Sequence, residues 1–235
     1  MRSSEGFIRE VTYWFDFVHQ THFAQCIFDV QKYRRTLYTK YNIQLPVNIH
    51  DAVIKRQSEF LAGRLTASII FQQMGETSAQ VMVGDHREPI WPHHLIGSLS
   101  HTDDTAVCSI TERANQRFIG IDIENIIATH TAEKIGRQII NLQEKKLLLS
   151  LNFPYEILLT IVFSAKESLF KAIYPIVRHY LDFNTSMVSD FSISNNCITL
   201  KLNEYLLKRY DLNKFYCISW KVQFGKVFTF LEGWH

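Results

Sequence analysis

Gly120-Ile121-Asp122-Ile123-Glu124 is the stretch on which the fold turns. In an extended strand, side chains two apart share a face. Asp122 and Glu124 therefore project together, while Ile121 and Ile123 face the core. Two carboxylates on one rigid face are hard oxygen donors of the kind Mg²⁺ takes, with waters and phosphate oxygens filling its other positions. Taken alone, the same alternation also describes a strand with a solvent-facing acidic edge.

Toward the N-terminus, short strands are expected over 96–99 and 106–110, with 118–124 as the third. A loop-rich run, 84–94, precedes them, punctuated by Gly84, Pro89 and Pro92. Residues 51–74 carry a helical apolar stripe (Val53, Phe60, Leu61, Leu65, Ile69, Ile70), with Asn48 or Asp51 as cap and Gly75 past its end. Residues 21–30 alternate as a half-buried strand, with Ala24, Cys26, Phe28 and Val30 on one face. Toward the C-terminus, 131–150 reads as an amphipathic helix and 163–173 as a second helix stopped by Pro175. The runs 191–194, 197–202, 215–224 and 227–231 then alternate as strands, with turns at Asn195-Asn196 and Gly225. Helix followed by antiparallel strands thus occurs once in each half. This is the α+β class, in two subdomains meeting near residue 119, and no internal repeat is evident.

The chain of 235 residues can bury a sizeable core, and its net charge of +2 argues against wholesale nucleic-acid binding. Cys26, Cys108, Cys197 and Cys217 are far apart and lie in apolar, strand-like runs. They read as buried free thiols rather than zinc ligands or disulfides, which suggests a reducing compartment. Charge interrupts the first twenty residues, and no run is long enough to span a membrane, so the cytoplasm is the expected location. The first fifty residues are rich in aromatics (Tyr13, Trp14, Phe15, Phe17, Tyr33, Tyr38, Tyr41), as core or as a contact surface.

Three further groups carry chemistry. In Phe163-Ser164-Ala165-Lys166-Glu167-Ser168-Leu169-Phe170-Lys171, Glu167 and Lys171 stand one turn apart on a helix, with Lys166 adjacent. A third carboxylate beside a lysine suits a metal–phosphate site, although an exposed ion pair would look the same. Gly97-Ser98-Leu99-Ser100-His101-Thr102 ends a strand with a hydroxyl and an imidazole that could hold phosphate oxygens, or with a simple turn. Arg56 and Arg64 lie eight apart on the first long helix, and Arg87 sits in the proline-flanked loop. The planar fork of arginine suits terminal phosphates.

These segments together resemble the 4'-phosphopantetheinyl transferases of the surfactin-synthase class, most closely the bacterial enterobactin-type branch. The resemblance is carried, in order, by Phe60-Leu61-Ala62-Gly63-Arg64, by Gly84-Asp85-His86-Arg87-Glu88-Pro89-Ile90-Trp91-Pro92, by Gly97-Ser98-Leu99-Ser100-His101, by Gly120-Ile121-Asp122-Ile123-Glu124, and by Phe163-Ser164-Ala165-Lys166-Glu167 through Lys171. It implies two similar halves related by pseudo-twofold symmetry, each a small antiparallel sheet with packed helices, and coenzyme A in the cleft between them. The half 1–119 would supply mainly coenzyme A phosphate contacts, and the half 120–235 the metal ligands and a carrier-docking surface. The implied reaction moves the 4'-phosphopantetheine arm to a serine of an apo acyl, aryl or peptidyl carrier protein and releases adenosine 3',5'-bisphosphate. Siderophore or other nonribosomal peptide synthesis is the implied setting.

By the same resemblance, Asp122, Glu124 and Glu167 would hold Mg²⁺. Arg56, Arg64, Arg87, Ser100, His101, Lys166 and Lys171 would contact coenzyme A. Lys171 and His101 would contact the pyrophosphate, and either Glu167, directly or through water, or a metal-bound water would take the serine proton, with Glu167 favoured. The implied partners are apo carrier domains of nonribosomal peptide, polyketide or fatty-acid synthases. The implied enzyme is a cytoplasmic monomer, with room for loose association with a membrane-bound synthetase. Lys134, Arg137, Lys145 and Lys146 lie on the segment 125–150, either as a basic surface that would steer acidic carriers or as the solvated face of an amphipathic helix packed on the core. A non-catalytic scaffold that binds coenzyme A or a carrier, and a phosphodiesterase that uses water as acceptor, remain as alternatives.

Overall fold

A computed structural model describes residues 6–233, and the chain divides into two compact units between Gln116 and Arg117. Both mix antiparallel sheet with helices. The sequence places this boundary at 119/120. In the structure Phe118 and Ile119 belong to the same strand as the acids, so the division falls ahead of them.

The first unit contains β1 (Ile8–Asp16), β2 (Thr21–Phe28), α1 (Thr36–Lys40), α2 (Val47–His50), α3 (Ile54–Gln73), β3 (Met82–Val83), β4 (Pro89–Ile90), β5 (Leu95–His101) and β6 (Thr105–Glu112). Its main sheet has the order β1-β2-β6-β5, and β3 pairs with β4 as a separate ribbon. Helix α3 covers that sheet. Leu61 and Ala62 pack with Cys26, Phe28 and Ala106, and Ala67, Ile70 and Phe71 pack with Ala24, Cys108 and Ile110. This face is the alternation seen at Ala24, Cys26 and Phe28, while Val30 belongs to a 3-10 turn. The helix starts later than expected. Neither Asn48 nor Asp51 caps it, and extended Val53 holds that position without a side-chain bond. Strand β1 is absent from the sequence reading because, as an edge strand, it interleaves charges with aromatics. Its Trp14 stacks on Phe23 of β2, with ring centroids 5.1 Å apart.

The second unit contains β7 (Phe118–Asn125), α4 (Thr129–Ile139), α5 (Leu142–Ser150), α6 (Tyr155–Val177), β8 (Ser186–Ser192), β9 (Cys197–Leu202), α7 (Glu204–Arg209), β10 (Phe215–Gln223) and β11 (Lys226–Gly233). The sheet order is β7-β11-β10-β9-β8, all antiparallel. Helix α6 packs its Ala165, Leu169 and Ile173 into a core with Ile198, Ile218, Val227 and Leu231. The expected helix 131–150 is two helices. Asn141 breaks it and caps α5 through a reciprocal capping box with Glu144. Helix α6 is longer at both ends than expected, because its apolar, β-branched first half looks like a strand. Pro175 does not stop the helix but lies in its last turn, with no N–H to donate to the carbonyl four residues back, and Arg178 ends the helix in the left-handed region at φ 58°.

Free buried thiols are found at Cys26 and Cys108. The same expectation is corrected for Cys197 and Cys217, which are joined by a disulfide across β9 and β10 with Cα atoms 6.4 Å apart. Both strands alternate, and these two side chains fall on the sheet face turned from the core, where Cys217 is exposed. No helix among the described residues is long and apolar enough to cross a membrane.

Candidate active site

In the second unit the site is built where α6 meets β7. Asp122 pairs in register with Thr229, Gly120 with Leu231 and Glu124 with Val227 of β11. Thr229 is reached from the helix: Ser164 Oγ lies 2.8 Å and Ser168 Oγ 2.7 Å from its Oγ1. The acids therefore share the face that α6 covers. This reverses the expectation that they point away from the core while Ile121 and Ile123 point into it, although both isoleucines are buried. Gly120 permits the close approach, since a Cβ there would overlap the Ser168 carbonyl oxygen. Small residues on both elements thus bring Glu167 and Lys171 against the acidic strand.

Lys171 Nζ donates to Asp122 Oδ1 at 2.6 Å and to the Ile121 carbonyl at 3.2 Å. Asp122 is buried, with its side chain 3% exposed, while Glu124 and Glu167 are half-buried. Burial pushes the Glu124 carboxyl up to about 7; Asp122 and Glu167 add repulsion, and Lys171 opposes it. Burial and then Asp122 also raise Glu167, again against Lys171. Three carboxylates and one close ammonium make a set short of positive charge, which a hard divalent cation would supply. Among the described residues these acids do not gather three ligand oxygens within 4.8 Å. A Mg²⁺ ion held by these acids would take waters and substrate oxygens in its other positions.

Lys166 does not join this site. Its ammonium is 3% exposed, lies 2.8 Å from Glu144 Oε1, and donates to the carbonyls of Ile139 at 2.9 Å and Phe183 at 3.1 Å. These contacts use all three of its donors inside the unit. The expectation of a coenzyme A contact is corrected: residues one apart on a helix point about 100° apart, so Lys166 faces inward while Glu167 faces the acids. Glu144 is held in turn by the backbone N–H groups of Asn141 at 2.8 Å and Val188 at 2.9 Å.

In the first unit, Ser100 and His101 end β5, with Ser100 buried. Arg56 Nη1 donates to His101 Nε2 at 2.9 Å. Arg64, two turns on, goes elsewhere. Its guanidinium lies over the Phe60 ring, 4.4 Å from the centroid, and lines a cavity of about 350 Å³ with Tyr41, Phe60, Ser68, Phe71 and Met82. Burial pulls its pKa down to about 10. Arg87 is exposed in the β3–β4 turn, in the left-handed region at φ 69°. Among the described residues no hydrogen bond or ion pair joins it to Arg56, Arg64, Ser100 or His101. Glu59, Glu144, Ser164, Ser168 and Thr229 carry these arrangements without having stood out in the sequence. For Ser164 and Ser168 the signal was available as small residues four apart on one helix face.

A family model described as the 4'-phosphopantetheinyl transferase N-terminal domain matches residues 46–111, and one described as the 4'-phosphopantetheinyl transferase superfamily matches residues 118–225. The chain is similar to enterobactin synthase component D of Salmonella typhimurium, with 42% identity over 118 residues, which is 50% of this chain and 48% of that protein. The protein of the same name from Escherichia coli K12 is 37% identical over 118 residues, covering 50% of this chain and 55% of that one. The 4'-phosphopantetheinyl transferase PptT of Mycobacterium tuberculosis is 30% identical over 140 residues, covering 59% and 60% of the two chains. The alignments thus span about half the length of the enterobactin synthase relatives. With both halves matched in order by models of one family, and the acids and Lys171 inside the second match, the chain belongs to the 4'-phosphopantetheinyl transferase superfamily.

Proposed function

We propose that this protein transfers the 4'-phosphopantetheine arm of coenzyme A to a serine of an apo carrier protein and releases adenosine 3',5'-bisphosphate. The single observation that carries the reading is the acidic strand Asp122/Glu124 held against Glu167 and Lys171, in a chain of this superfamily. The similarity to enterobactin synthase component D supports a siderophore or other nonribosomal peptide setting, with carrier domains as partners. The pseudo-twofold likeness of the halves belongs to the same reading; each unit lays one long helix on an antiparallel sheet.

In this reading Asp122, Glu124 and Glu167 would hold Mg²⁺, which when bound offsets charge on the pyrophosphate. The chain's own residues do the rest. The serine oxygen forms a bond to the β-phosphorus as the bond to the leaving bisphosphate breaks. The proton goes to Glu167, directly or through water. Lys171 screens Asp122 and assists departure of the leaving group, while Arg56, Ser100 and His101 bind the donor's phosphates; Arg64 and Arg87, which no hydrogen bond or ion pair among the described residues joins to them, are carried into this role by the resemblance. The chemistry asks mainly for alignment and charge neutralisation.

The test is to incubate the protein with coenzyme A, Mg²⁺ and an apo carrier domain and to weigh the carrier by intact mass spectrometry. A phosphopantetheine increment is expected, and Asp122→Ala should remove it. An unmodified carrier, or free phosphopantetheine in its place, would overturn the reading.

The carrier surface belongs to the same proposal. Lys134, Arg137 and Lys146 are exposed on α4 and α5, beside exposed Leu142 and Leu149. Such a surface suits an acidic helical partner with an apolar ridge. Replacing Lys145 and Lys146 by Glu should raise the carrier KM about tenfold, mostly through slower association. Coenzyme A affinity should stay the same, and unchanged carrier kinetics would reject the surface.

A further inference from the structure

Glu59 lies in the second turn of α3, and its side chain is only 10% exposed. Three cationic or ionisable groups surround it. Lys55 Nζ is 3.8 Å away, Arg56 Nη1 3.9 Å and His101 Nδ1 3.8 Å. Burial raises its carboxyl, Lys55 and Arg56 lower it, and Asp103 in the turn after β5 raises it again. An acid is thus placed among the residues that the reading above assigns to phosphate binding, and no role in that reading requires it.

The geometry around His101 gives the acid a task. A guanidinium donates and never accepts, so the 2.9 Å contact from Arg56 makes Nε2 the acceptor. The ring proton then sits on Nδ1, the nitrogen that faces Glu59 Oε2. A neutral Nε2 cannot donate to a phosphate oxygen. When a phosphate draws the Arg56 donor to itself, Nε2 is released and can take a proton from solvent. The carboxylate opposite Nδ1–H favours the resulting imidazolium. Among the described residues, the charged groups bearing on the ring or on Glu59 include Lys55, Arg56 and Glu59 from α3 and Asp103 from the following turn. The β6 residue paired with His101 is Ala106, which does not titrate.

We propose that Glu59 is a positioning residue. It holds Arg56 and His101 as a pair and allows His101 to take up a proton when a phosphate of the donor binds. The inference rests on the proposed coenzyme A reading and adds proton-coupled binding to it.

Titration calorimetry with adenosine 3',5'-bisphosphate, in Tris and in Hepes at one pH, reads both affinity and proton uptake without transfer activity. The wild type should take up a fraction of a proton, visible as a buffer-dependent enthalpy. Glu59→Gln should bind about tenfold more weakly, the scale of losing an outer partner, and its buffer dependence should vanish. Glu59→Asp should recover part of both. Nitrogen NMR of labelled histidine should show His101 as the Nδ1–H tautomer in the free wild type and a mixture in Glu59→Gln, with thermal melts confirming folding. Glu59→Gln with wild-type affinity and proton uptake would overturn the inference. A wild type that binds the bisphosphate without proton uptake would overturn it and leave the coenzyme A reading intact. A wild type that binds neither the bisphosphate nor coenzyme A would overturn that reading, and this inference with it.

Discussion

A Gly120→Ala protein is expected to lose about 3 kcal/mol of stability, at the upper end of what overpacking costs, and most of the proposed transfer activity. The added Cβ would overlap the Ser168 carbonyl oxygen and come within 3.1 Å of Ala172 Cβ. Neither obstacle is the far end of a flexible side chain. One is main chain of α6 in mid-helix, so relief requires the helix to move away from β7. That movement would loosen the bonds from Ser164 and Ser168 to Thr229 and carry Glu167 and Lys171 away from Asp122. Stability and activity should therefore fall together. Gly233→Ala provides the contrast, since a Cβ there meets nothing within 4 Å. Urea melts and the carrier-mass assay on both variants check the claim. A Gly120→Ala protein within about 0.5 kcal/mol of wild type, the range of innocuous substitutions, would show that the contact does not set the helix.

The second large effect is expected at the buried pair Lys166–Glu144. Both side chains are nearly inaccessible, at 3% and 2%. Glu144→Ala would strand a buried ammonium, leave the Val188 N–H without its acceptor and remove one half of the α5 capping box. Breaking a buried pair from one side costs about 3–5 kcal/mol. Lys166→Met leaves the carboxylate its two backbone donors and keeps most of the volume, so its cost should be smaller. The double variant Glu144→Gln/Lys166→Met removes both charges together and should be milder than Glu144→Ala. A double-mutant cycle in urea measures the coupling. A coupling near zero would mean that the pair contributes nothing to holding α6 in place.

These two positions show how legible the protein was before its structure. The strand 118–124 and its acids were readable because period-two alternation is local, and the second core helix because its apolar spacing is local. The family was readable because five short blocks stand in order. Locally ambiguous signals failed in understandable ways. The first half of α6 is apolar and rich in β-branched residues, so its helical period is not evident locally, and it packs as helix in the core of its unit. Strand β1 hides its alternation because an edge strand tolerates charge. Cys197 and Cys217 sit in apolar-looking runs, yet the register of β9 and β10 turns them outward and into reach of each other.

The sequence by itself determined the residue types of the site and their order along the chain, hence the family. It also determined that Asp122 and Glu124 share one face of a strand. Only the tertiary structure decided which face that is, that Lys171 pairs with Asp122, and that Lys166 turns inward to Glu144. The reason is physical. Side-chain periodicity fixes which residues point together, whereas the side covered by another element depends on contacts between segments remote in sequence. Here Gly120 under Ser168, and Thr229 between Ser164 and Ser168, make that choice.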